Sequence, residues 1–134
     1  MTSKDSLAPV AAAEPILILI VDDEEPIIEM LATFVADLGY TPLVAQNGQQ
    51  ALDLARECGP ALIITDLMMP VMNGADLIVA LRAEAAAQGR ASPPIVLLTA
   101  GSRRAASQLP VAAVLLKPFD LTQLEQVIRR LLER

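Results

Sequence analysis

The sequence predicts an α/β domain: a doubly wound parallel sheet of five strands with helices on both faces. Three observations carry that prediction. Short unbroken aliphatic runs recur along the chain, amphipathic helical stripes lie between them, and Gly, Pro or Asn marks the junctions. At 134 residues the chain has the size of one domain and can bury one core.

Residues 1–15 read as a flexible Ala/Pro-rich leader. A secretory signal is the alternative, but it wants a longer apolar region than one broken by Pro9, and no acid as early as Asp5. Residues 16–134 form the domain. Ile16–Val21 is the first strand, unalternating as in a sheet covered on both faces. The stripe Ile27, Ile28, Leu31, Phe34, Val35 and Leu38 makes the first helix, with Pro26 near its first position and Gly39 ending it. Thr41–Ala45 fits a weaker strand. A second helix spans Gly48–Cys58, capped by Asn47 and stopped by Gly59-Pro60.

Ala61–Thr65 is the next strand. A helix follows Asn73 and turns Leu77, Ile78, Leu81 and Ala85 inward; Ile95–Thr99 is the fourth strand. Between Gly101 and Pro110 there is room only for a short, poorly patterned helix, so the fourth helix is expected to be shortened. Val111–Leu116 is the last strand. The final helix starts at Asp120, with Gln123 placed for a capping-box contact, and carries Leu121, Leu124, Val127, Ile128, Leu131 and Leu132. Right-handed crossovers join such units into one parallel sheet.

Composition excludes much chemistry. Histidine is absent and Cys58 is the only cysteine, which removes Ser-His and Cys-His relays, zinc cages and intrachain disulfides. A single thiol fits a reducing, cytoplasmic setting. No apolar run approaches the roughly 20 residues a bilayer needs. The net charge of −6 argues against direct nucleic-acid binding or an acidic membrane surface. Residues 1–70 hold 11 acids and 2 bases, whereas residues 71–134 hold 5 acids and 8 bases. The acidic half must be solvated or bind something positive.

Ligands of such sheets bind beyond the carboxyl ends of the strands. Asp22-Asp23 follow the first run, Asp66 the third, Thr99 closes the fourth, and Lys117 follows the fifth. Two like charges about 4 Å apart repel by roughly 4 kcal/mol at an effective dielectric of 20. Lys117 offsets part of that repulsion and a hard dication offsets more. Magnesium takes oxygen ligands from one or two carboxylates together with phosphate. An Asp, a divalent metal, a Lys and a Thr hydroxyl around one point suit phosphoryl transfer, with a carboxylate as nucleophile.

The run Ile18-Leu19-Ile20-Val21-Asp22-Asp23-Glu24, the run Asp66-Leu67-Met68-Met69-Pro70 with Asn73-Gly74, Thr99-Ala100, and Lys117-Pro118-Phe119 together resemble the receiver domain of bacterial two-component response regulators. The resemblance covers residues 16–134. It implies a flavodoxin-like strand order, 2-1-3-4-5. It implies that Asp66 accepts a phosphoryl group from a sensor histidine kinase or histidine phosphotransfer protein, and that Asp22, Asp23 and Asp66 hold Mg2+ with the backbone carbonyl of Met68. Thr99 and Lys117 would then contact the phosphoryl oxygens, and the Lys117–Pro118 bond would be cis. The chain stops with the last helix, so a stand-alone receiver acting through an unidentified output partner is expected, with a homodimer as another state.

Two features depart from the family pattern. Val114 stands three positions before Lys117, where similar domains place Tyr or Phe, and it is small and stiff at χ1. Only 17 residues separate Thr99 from Lys117, and they include Pro110. These departures motivate a second reading, a receiver-fold interaction module whose switch has decayed. A third reading is an Asp-nucleophile phosphatase, which would want a second acid where Met68 stands.

Blander readings exist residue by residue. Asp22 and Asp23 alone would suit a helix N-terminus, and Thr99 alone would suit a strand. Glu24 and Glu25 read as solvated first-turn acids. Cys58 reads as a small buried residue, and Met68, Met69 and Met72 as loop packing. Arg129, Arg130 and Arg134 read as a solvated face or as a patch for an acidic partner.

Overall fold

The computed structural model describes residues 14–101, 106 and 108–133. Five strands, β1 (Leu17–Val21), β2 (Thr41–Ala45), β3 (Leu62–Asp66), β4 (Ile95–Thr99) and β5 (Ala113–Leu116), form one sheet in the order β2-β1-β3-β4-β5. All neighbours are parallel, with Ile20 opposite Val44 and Ile64, Thr65 opposite Leu97, and Leu98 opposite Leu115. Four helices are described: α1 (Glu25–Asp37), α2 (Gly48–Cys58), α3 (Gly74–Ala87) and α4 (Leu121–Leu132).

Strand alternation sorts the aliphatic runs into two cores. Leu19, Val21, Ile63 and Leu97 face α2 and α3, where Ala51, Leu52, Leu77, Ile78 and Leu81 meet them. Ile18, Ile20, Leu62, Ile64, Val96 and Leu98 face α1 and α4, packing on Leu31, Val35, Leu124 and Ile128. Each such side chain contributes about 1.5–3 kcal/mol when fully buried. β1, β3 and β4 are covered on both sides, which is why their sequences show no polar alternation.

Edge strand β2 is looser. Thr41 N–H bonds the Ile16 carbonyl at 2.9 Å, so the neighbouring Pro42 turns its missing donor to the open edge, where a proline is tolerated.

Helix ends follow local chemistry. Asn47 Oδ1 accepts from Gln50 N–H and Asn73 Oδ1 from Asp76 N–H, both at 2.9 Å. Gly59, in left-handed backbone, ends α2, and Pro26 sits in the first turn of α1.

Three strands differ from the expectations at their bounds. Ile16 lies outside β1. β3 is shifted by one residue, starting at Leu62 instead of Ala61 and running through Asp66. β5 starts at Ala113 instead of Val111, because Val111 N–H turns back to the Leu109 carbonyl at 2.8 Å. At α4 the Asp120 carboxylate caps Thr122 N–H at 2.8 Å, one residue short of Gln123, and no capping-box bond from Gln123 occurs among the described residues. The expected short fourth helix falls largely on residues 102–105 and 107, outside the described residues. Ala106 is buried in the α2–α3 core. Most of the leader, residues 1–13, also lies outside them. No described helix is long and apolar enough to cross a membrane.

Candidate functional site

Parallel strands deliver their last residues to one edge, and the site is built there. Asp22 directly follows β1, Asp66 and Thr99 end β3 and β4, and Lys117 follows β5. Asp22 is 0% exposed, Asp66 7% and Thr99 1%, whereas Asp23 is open to solvent. One carboxylate oxygen from each of Asp22, Asp23 and Asp66 lies within 4.8 Å of the other two. Lys117 Nζ reaches between them, 3.2 Å from Asp22 Oδ2 and 3.4 Å from Asp66 Oδ1.

Backbone groups fix these side chains. Asp22 Oδ1 accepts from Glu24 N–H at 2.9 Å, and Asp66 Oδ1 accepts from Leu67 N–H at 2.9 Å. Thr99 Oγ1 accepts from Gly101 N–H at 3.0 Å, which orients the hydroxyl at the strand end. Thr65 Oγ1 donates to the Asp66 carbonyl at 2.9 Å. Lys117 N–H bonds the Thr99 carbonyl at 2.8 Å, so the end of β5 is tied to β4. The Lys117–Pro118 peptide bond is cis.

The loop after β3 folds tightly over the site. Gly74 N–H bonds the Leu67 carbonyl at 2.8 Å, and a Cβ at Gly74 would stand 2.6 Å from the Asp66 carbonyl oxygen. Only glycine allows the start of α3 to approach the acceptor strand so closely.

Burial and the Asp22 charge together raise the Asp66 pKa above its ordinary value, and Lys117 offsets them only in part. Burial pulls the Lys117 ammonium down, but facing Asp22 and Asp66 it ends above its usual range. Three carboxylates share one cation, so net negative charge remains at the edge. That oxygen-only donor set fits magnesium.

The structure thus brings together Asp22, Asp23, Asp66, Thr99 and Lys117, all singled out from the sequence. Met68 is 73% exposed, on the loop leaving β3. Val114 is half-buried against the α2–α3 core. Sequence reasoning assigned no part to Gly74 or Thr65. The Asn73-Gly74 pair was a visible signal for the first, whereas Thr65 looked like any strand residue.

A buried aspartate at a parallel strand end, beside a dication site and a fixed lysine, defines an aspartyl phosphoacceptor fold. Residues 18–129 match the response regulator receiver domain, and the chain belongs to that family. It carries the phosphoacceptor domain of two-component phosphorelay signalling.

The chain is 40% identical over 127 residues to response regulator Rre1 of Synechocystis sp., covering 91% of this chain and 54% of that protein. It spans about half the length of the curated relatives it matches. Among solved structures, response regulator protein TrrA from Thermotoga maritima, in complex with Mg2+ and BeF, superposes with a TM-score of 0.77 at 30% identity, covering 87% of this chain and 99% of that one. The receiver domain of Ssk1 from Saccharomyces cerevisiae, co-crystallised with the histidine phosphotransfer protein Ypd1, gives a TM-score of 0.80 at 29% identity, covering 87% and 88%.

Proposed function

We propose that Asp66 is the residue phosphorylated, and that the donor is a phosphohistidine of a sensor kinase or phosphotransfer protein. The supporting observation is the Asp66 carboxylate itself. Oδ1 is held by Leu67 N–H and Lys117, and Oδ2 has no hydrogen-bond partner among the described residues. Oδ2 attacks phosphorus, the Oδ2–P bond forms, the P–N bond to the donor imidazole breaks, and the imidazole nitrogen takes up a proton. These 134 residues hold no histidine, so the donor imidazole lies outside them. The Ypd1–Ssk1 pairing supports this class of partner.

Asp22, Asp23 and Asp66, with the Met68 carbonyl, would hold Mg2+, which neutralises carboxylate and phosphoryl charge when bound. Lys117, already fixed by Asp22, pairs with a phosphoryl oxygen, and the Thr99 hydroxyl donates to another. The product is an acyl phosphate that changes partner binding in a cytoplasmic phosphorelay.

Incubation with radiolabelled acetyl phosphate and Mg2+ tests the assignment. Wild type takes up base-labile label, and Asp66→Asn takes up none while keeping its circular dichroism. Persistent labelling of the variant would mean another acceptor.

A second reading, an interaction module with a decayed switch, is favoured by the packing of Val114, whose short side chain is wedged half-buried against the α2–α3 core. Beryllofluoride with Mg2+ separates the two. If Asp66 is modified and neither the fold nor partner affinity changes, the module reading stands and the switch fails.

A further inference from the structure

At the opposite end of the sheet a half-open cleft of about 230 Å³ lies between the C-terminal halves of α2 and α3. Its walls are small and apolar: Leu52 and Ala55 from α2, Ala61 at the entry to β3, Leu81 and Ala85 from α3, and Pro93 before β4. Alanine at three of those positions leaves open the volume a larger side chain would fill. Only three charged groups line the mouth, Arg56, Glu84 and Arg90.

Arg56 and Glu84 neutralise each other from facing helices, and Arg56 also reaches Asp53 Oδ1 at 3.4 Å. Arg90 differs, because no carboxylate pairs with it among the described residues. Its backbone is nevertheless fixed. Gly89 takes φ +68°, its N–H bonds the Ala86 carbonyl at 3.1 Å, and Arg90 N–H bonds the Ala85 carbonyl at 2.9 Å, a Schellman closure of α3. An exposed guanidinium with no carboxylate partner among the described residues, carried on a fixed backbone, therefore stands at the mouth of the cleft.

We propose that this cleft binds a small organic anion, a compact apolar body of about ten non-hydrogen atoms with one carboxylate that pairs with Arg90. An apolar cavity of about 150 Å³ accepts benzene, so the larger cleft suits a bicyclic ring or its equivalent. The side chains of Leu52, Ala55, Ala61, Leu81, Ala85 and Pro93 offer no polar group, and a guanidinium meets a carboxylate through two parallel hydrogen bonds. The site is separate from the acidic edge: Ala61 enters β3 and Asp66 ends it, roughly 16 Å of strand apart. Occupancy therefore does not compete with a phosphoryl group, and the proposal stands apart from the assignment of Asp66.

Titration of the full chain with indole-3-acetate, followed through the methyl chemical shifts of Ala55, Ala61, Leu81 and Ala85, tests it. The expected result is saturable binding with Kd of about 0.1–1 mM. Arg90→Gln weakens it about tenfold, the loss of one charge-assisted contact. The uncharged 3-methylindole binds wild type and Arg90→Gln alike, and Ala61→Leu, an exposed position that fills the mouth, removes binding of both probes. Shifts clustered instead at Asp22, Asp66 and Lys117, no saturation by about 10 mM, or indole-3-acetate affinity unchanged in Arg90→Gln would each overturn the proposal.

Discussion

The body of the sheet and its carboxyl edge are made of opposite materials. Ile18, Leu19, Ile20, Leu62, Ile63, Ile64, Val96, Leu97 and Leu98 are all 0% exposed, and every one is aliphatic. One or two residues further along the same strands, Asp22, Asp66 and Thr99 are almost as deeply buried, and two of them are acids. Burying an aliphatic chain stabilises, whereas burying a carboxylate costs free energy unless charge and hydrogen bonds answer it. Here Lys117 answers two carboxylates at once, and the raised pKa of Asp66 shows that the answer is incomplete. Stability resides in the strand interiors, and chemistry resides where the strands stop.

Deleting volume from the interior gives the largest expected effect. Leu97→Ala should cost about 2–5 kcal/mol in urea denaturation, because close-packed neighbours from β3, β5 and α3 relax only in part. A loss under 1 kcal/mol would mean that the α2–α3 core is loosely packed and the contrast overstated.

Magnesium probes the edge next. A cation that binds only the folded carboxylate cluster stabilises by mass action, about 2.7 kcal/mol at a hundredfold excess over Kd. Asp23→Asn, at an exposed carboxylate that carries no packing, should remove most of that gain and leave the metal-free melting temperature nearly unchanged. Equal magnesium stabilisation of both proteins would take Asp23 out of the ligand set.

A smaller effect separates chemistry from stability at Asp66 itself. Its folded pKa lies above the ordinary 3.8 of an aspartate, so the folded state holds the proton more readily than the unfolded chain does. The stability linked to this group is therefore complete below the unfolded pKa and is lost as pH rises through the folded value. Without magnesium, Asp66→Asn should be more stable than wild type by about 1 kcal/mol at pH 7, and the difference should shrink toward pH 3. A variant less stable at pH 7 would show that Lys117 more than compensates the buried carboxylate.

The same contrast explains what the sequence disclosed. Ile18–Val21, Leu62–Ile64 and Ile95–Leu98 were legible because double burial demands aliphatic residues without interruption, and the caps at Asn47 and Asn73 because an orphan N–H needs an acceptor. Asp22, Asp66, Thr99 and Lys117 were legible because strand ends in a parallel sheet converge. Val111 was misplaced into a strand because an aliphatic side chain in a turn can face the core as well as one in a ladder. Composition and spacing also say nothing of backbone sign or of close approach. The fit of Gly74 against the Asp66 carbonyl and the conformation of Val71 became apparent only in three dimensions.

Val71 offers the smallest and most local test. It is 84% exposed and takes φ +69°, with Met72 N–H bonded to the Pro70 carbonyl at 2.7 Å. A bond across two residues around a positive φ makes a γ-turn of the strained kind, and a β-branched residue is the least suited to it. Val71→Asn keeps the loop length and tolerates positive φ, so it should raise stability by about 0.5–1 kcal/mol. Because the loop ties Asp66 to Gly74, the labelling rate from acetyl phosphate reports whether the strain serves the acceptor. A more stable variant with slower labelling means that the turn holds the edge in a reactive shape. An unchanged melting temperature and an unchanged rate mean that the loop relaxes around valine, leaving the buried charges as the edge's only cost.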